Sequence, residues 1–163
     1  MKKEIFTTHI NDTNFDSNNN SIVDSLKKNI PCIYMELNLI FDNDTNMNQI
    51  TSEIGLNPTT CRDKKDQRKS PFKDDKLEAF WSIETGMVNS YYLEDVTIKI
   101  INIIKPYLKK IKEIVDKYNG TVSFMIVPEF HPLYTPALCF NREFLEIVEY
   151  FNATIHIDMY IDD

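Results

Sequence analysis

Glycine is scarce in this chain, with three in 163 residues. Neither GxGxxG nor GxxxxGKS/T occurs, so the backbone-amide loops that hold dinucleotides or nucleotide phosphates are excluded. Cysteine is equally sparse. Cys32, Cys61 and Cys139 lie far apart, with no CxxC and no neighbouring histidine. They read as free thiols in a reducing compartment, with Cys139 a small buried hydrophobe in PALCF. His9, His131 and His156 show no ligand spacing. DNDTN (42–46) starts like a calcium loop but lacks the glycine and the terminal glutamate such a loop needs. No metal, cofactor or catalytic residue is expected. No apolar run approaches the roughly 18 residues of a membrane span. MKKEIFTTHIND has a lysine pair but no apolar core, so it is not a secretion signal. A cytoplasmic location and no membrane partner are expected. Positive charge is also in deficit: the net charge is −7. That argues against a nucleic-acid binder and suits a basic protein partner.

What is present points to one ordered domain. The hydrophobic share is 42% and the aromatic share 12%, enough for a sizeable core in a chain of this length. Residues 1–30, centred on NDTNFDSNNN, read as a polar N-terminal extension, partly mobile, with a short helix at Ser21–Lys28. Residues 31–163 read as a single α+β domain.

Two stretches alternate with a period of two, the mark of a strand with one buried face. In CIYMELNLIF (32–41), Ile33, Met35, Leu37, Leu39 and Phe41 share one side; Tyr34, Glu36, Asn38 and Ile40 share the other. In ATIHIDMYID (153–162), Ile155, Ile157, Met159 and Ile161 oppose Thr154, His156, Asp158 and Tyr160. This last strand is expected in the core, so that the fold closes only with the whole chain.

Helical spacing marks 47–54, 92–118 and 142–151. Thr45 or Asn46 caps the first, and Gly55 stops it. Pro106 predicts a kink or two helices meeting near Lys105, and Asn141 caps the last. Further strands are expected from Thr59, at Leu77–Glu84, at Thr121–Glu129 and at Ala137–Phe140, with Trp81 and Ile83 facing the core. Between them, RDKKDQRKSPFKDDK (62–76) carries +3 against −10 for the rest of the chain. It reads as a solvated hairpin loop.

This element order predicts an α+β fold of ferredoxin-like type. A mixed or antiparallel sheet of five to six strands would carry helices packed mainly on one face.

Several of these pieces occur together in a known order. They are the helix ending at Ile50, Ile54, Gly55, Leu56, Pro58 and Thr59; the charged hairpin; Trp81 and Ile83; the helix with a central proline; and Ile155, Ile157, Asp158 and Tyr160. Over residues 32–163 the chain resembles the bacterial domain-of-unknown-function family 4279. The resemblance implies a small stand-alone protein with no activity to carry over, and a role as an immunity partner of a secreted toxin. The first 30 residues fall outside it.

The candidate surface is the polar side of the strands. Glu36, Asn38, Ser82, Glu84, His156, Asp158 and Tyr160 could form an acidic recognition face for a basic protein, such as a toxin inhibited by this chain. The competing reading is a small-ligand sensor, or an enzyme, with a pocket at His156, Asp158 and Tyr160. A homo-oligomer joined through sheet edges is a third. The oligomeric state and the partner's identity are not legible.

Overall fold

The computed structural model describes residues 30–42, 44–66 and 78–162. The expected helix at 21–28, nearly all of the polar extension, Leu77 and most of the charged stretch lie outside the described residues.

β1 (Cys32–Phe41) is the central strand, and its alternation is complete. Ile33, Met35, Leu37, Leu39 and Phe41 are all fully buried, while the residues between them stay half-buried. β1 is antiparallel to β3 (Ala79–Glu84) on one side and to β5 (Thr121–Phe130) on the other. β2 (Thr60–Arg62) pairs antiparallel with β3, and β6 (Thr154–Ile157) pairs parallel with β5. The path is therefore β2-β3-β1-β5-β6. Two short strands join it, β4 (Val88–Asn89) on β1 and β7 (Tyr160–Ile161) on β5.

Local chemistry explains the helix boundaries. In α1 (Met47–Ile54), the Asn46 side chain accepts from the amides of Asn48 and Gln49 at 2.9 and 3.2 Å. Gly55, at φ 75°, closes the helix with its N–H on the Thr51 carbonyl. The Trp81 indole, fully buried in β3, donates to Thr51 Oγ1 at 3.1 Å and ties the sheet to α1. Pro106 breaks the long helical region as its missing donor requires. α2 (Leu93–Ile104) passes through a 3-10 turn at Lys105–Tyr107 into α3 (Leu108–Tyr118). Gly120 follows because a Cβ there would lie 2.5 Å from the Phe41 ring. α4 (Arg142–Phe151) is capped by Asn141, whose Oδ1 accepts from the Phe144 amide at 2.8 Å.

The apolar faces of the four described helices meet the buried side of the sheet in one cluster. Phe144 of α4 packs edge-on against Phe124 of β5, with ring centroids 4.9 Å apart. The α+β class holds, with a mixed sheet and an opposite face that these helices leave open.

Three expectations are corrected. Ala137–Phe140 is not a strand. Ala137 makes a single bridge to Tyr92, just before α2, and Pro132 and Pro136 limit further pairing. Cys139 is exposed rather than buried, because its neighbours Leu138 and Phe140 take the positions packed against the core. The final stretch is an edge, not a core strand. It breaks between β6 and β7, and Ile157, Met159 and Ile161 are 40%, 55% and 61% exposed. Their spacing is that of a strand, but they lie at the margin of the layer that the helices cover.

Candidate functional site

The open side of the sheet is a grid whose rows are set by strand register. One row runs Glu84–Glu36–Met125–His156 across β3, β1, β5 and β6. The next runs Thr60–Ser82–Asn38–Ser123–Thr154. A third, near the end of β5, runs Cys32–Glu129–Tyr160. The face expected from the sequence is thus assembled. Five of its seven residues occupy two adjacent rows, and Asp158 and Tyr160 stand at the edge.

Glu36 and Glu84 are directly opposed, an arrangement of like charges that destabilises a sheet. Neither is neutralised by a cation among the described residues. Glu36 accepts from Asn38 Nδ2 at 3.0 Å, and Glu84 accepts from Thr60 Oγ1 at 3.3 Å. The Glu84 amide also donates to Thr59 Oγ1 at 3.1 Å. Arg62 lies toward the far corner, 5.0 Å over the Phe80 ring.

Ser82 lies in the polar row yet is only 2% exposed. A short side chain between Thr60 and Asn38, with Phe80 and Glu84 along the strand, is covered by longer neighbours. Its hydroxyl has no hydrogen-bond partner among the described residues.

His156 is exposed and within 3.1 Å of Thr154 Oγ1. Strands lie about 4.8 Å apart, so its backbone is roughly 10 Å from that of Glu36. The histidine and the two opposed glutamates share a row, with no hydrogen bond joining them among the described residues. At the edge, the Tyr160 phenol donates to Asp158 Oδ2 at 3.0 Å. That bond, then the Asp158 charge, then desolvation and Glu129, hold its pKa above the usual tyrosine range. Partial burial, followed by the same Glu129, pushes the Cys32 thiol up; a hydrogen bond with the Val88 backbone opposes them.

Glu129 is the face residue that sequence reasoning missed. The signal was present, since Ser123, Met125, Val127 and Glu129 alternate against Val122, Phe124 and Ile126. It adds a further carboxylate to those of Glu36, Glu84 and Asp158 on the open side.

A groove of about 500 Å³ lies elsewhere, between α3 and α4, lined by Leu108, Lys109, Glu146 and Tyr150 among others. An ion pair of 2.8 Å between Lys105 and Glu143 crosses it. None of the expected face residues lines it. Among the described residues no group of His, Cys, Asp and Glu gathers as a metal set, and no helix is long and apolar enough to cross a membrane.

The family model described as "Domain of unknown function (DUF4279)" matches residues 32–162. No curated protein matches the chain, and no solved structure does.

Proposed function

The chain belongs to the DUF4279 family, and from that premise we propose that it is a non-catalytic protein-binding module that recognises a basic partner through the open sheet face. The opposed pair Glu36 and Glu84 carries this reading. Two like charges in register, with no cation between them among the described residues, cost the free protein stability. A bound lysine or arginine would convert that cost into affinity, and the field of the carboxylates would speed encounter.

In its finer form, the partner is a basic toxin that this chain inhibits in the cytoplasm. The resemblance noted from the sequence and the net charge of −7 support that form. The competing pocket reading needs enclosure around His156, Asp158 and Tyr160, and all three are exposed.

The experiment is capture of a partner by tagged protein from the native host, followed by charge reversal. A stoichiometric basic protein is expected, released as ionic strength rises. Replacing Glu36, Glu84 and Asp158 together by Lys should weaken the complex by roughly tenfold or more while the far-UV spectrum stays unchanged. Equal affinity in the triple variant would remove the face from the reading.

A further inference from the structure

The two edges of the described sheet differ in kind. β2 is three residues long and runs into Arg62, Lys64 and Lys65, the short, charged form by which edge strands resist pairing with other chains. The β6–β7 edge is also short but carries no basic guard. Residues 152–162 contain no lysine, arginine or proline. They expose Ile157, Met159 and Ile161, an unusual density of large apolar side chains for a protein surface.

Hydrogen bonding shows which way the backbone groups of this edge point. The Asp158 amide donates to the Ile126 carbonyl at 2.9 Å, and the Asp162 amide to the Phe130 carbonyl at 3.0 Å. Backbone groups alternate sides along a strand. The N–H and C=O of Ile157 and Ile161 therefore point away from β5, where no described strand pairs with them.

The side chains are sorted as well. Ile157 and Ile161 are in register with the buried Ile126 and Phe130, on the helix side. His156 and Tyr160 are in register with Met125 and Glu129, on the open side, where Asp158 bonds Tyr160.

We propose that the β6–β7 edge accepts an extended segment of the partner as an added strand, a segment in which apolar and basic residues alternate. Its apolar side chains cover Ile157 and Ile161. Its lysines or arginines meet Asp158 and Glu129, and its backbone satisfies the outward amides and carbonyls. This rests on the acidic-face reading and specifies how the partner enters that face. Charge selects such a strand over a second copy of this chain. A copy pairing antiparallel about this edge would bring acidic edge residues together, with a net charge of −7 on each side.

The test uses the full chain and two nine-residue probe peptides, one alternating lysine with valine and one alternating glutamate with valine. Amide hydrogen exchange is followed residue by residue as peptide is added. The lysine peptide should slow exchange at Ile157 and Ile161 by roughly tenfold or more, and the glutamate peptide should not. Ile157→Pro removes an outward donor and should abolish the effect. Ile157→Lys, at a site already exposed, should weaken it with less risk to the fold.

Equal protection by both peptides, or none by either, overturns the proposal. Protection that grows with protein concentration alone also overturns it, since the occupant is then a second copy. The Glu36→Lys/Glu84→Lys variant separates this inference from the broader one. Slowed exchange confined to β1 and β3, and lost in that variant, sinks the edge proposal and leaves the face standing. Unchanged edge protection in that variant supports the edge and counts against the face.

Discussion

Glu36 of β1 and Glu84 of β3 face each other in register on the open side of the sheet, each held, among the described residues, by a hydroxyl or amide rather than by a cation. Like charges directly opposed cost a sheet stability on the scale of about 0.2–1 kcal/mol. Glu84→Gln keeps the size and the acceptor while removing one charge. It should raise stability by an amount within that range, read from the urea midpoint at unchanged slope, and weaken capture of a basic partner. A stability gain coupled to a loss of binding is what a recognition site under electrostatic strain should show. If the variant is less stable, the two carboxylates are not in conflict.

Ser82 supplies a second, independent check. Its hydroxyl is buried without a partner among the described residues, and leaving such a group unsatisfied costs about 1–3 kcal/mol. Ser82→Ala should therefore be neutral or stabilising by up to about 1 kcal/mol. A loss of affinity in this variant, with stability unchanged, would identify Ser82 as a group that the partner satisfies.

Much of this architecture was legible, and the failures have a common cause. The limits of β1, α1 and α4 follow from alternation and from caps at Asn46, Gly55 and Asn141, all local signals. The break at Pro106 is local too. The final stretch shows where that logic stops. Alternation told which way Ile155, Ile157 and Ile161 point, but not whether a helix lies over them. Only Ile155 reaches the packed layer as a partly buried residue. In the same way, the polar row was legible through Glu36 and Asn38, whereas the burial of Ser82 depends on the length of its cross-strand neighbours. The candidate face itself was readable because parity within each strand survives whatever the register turns out to be.

Stability should fall at both ends of the pH range, for separate reasons. The Glu53 carboxyl is held below the usual range, first by its hydrogen bond from Lys117 and then by that from Gln49. A lowered pKa favours the fold above the ordinary carboxylate range, and this contribution is lost as pH falls through the lowered value. Tyr160 behaves oppositely. Its raised pKa contributes below the ordinary tyrosine range, and that contribution is lost as pH rises through the raised value. Asp158→Asn keeps an acceptor but removes the charge. The Tyr160 phenol should then titrate closer to the ordinary value, as followed by the carbon shift of its ring in NMR. Titration unchanged by this substitution would mean that Asp158 does not control the tyrosine.

The exposed terminal strand separates folding from binding most directly. Tyr160 and Ile161 are 53% and 61% exposed, and among the described residues β7 pairs only with the end of β5. Removing residues 159–163 should leave a cooperative unfolding transition and the emission of buried Trp81. The cost should stay below about 2 kcal/mol, as for changes that empty no core site. Leu37→Ala, at the fully buried centre of β1, should cost about 2–5 kcal/mol. The contrast tests the placement of the last strand, since a core strand could not be removed so cheaply. Binding should follow the reverse order. The truncated chain should lose the alternating lysine peptide while remaining folded, whereas Leu37→Ala, to the extent that it folds, should retain it. A truncated chain that unfolds would restore the terminal strand to the core. One that folds and still binds the peptide as before would move the contact away from this edge.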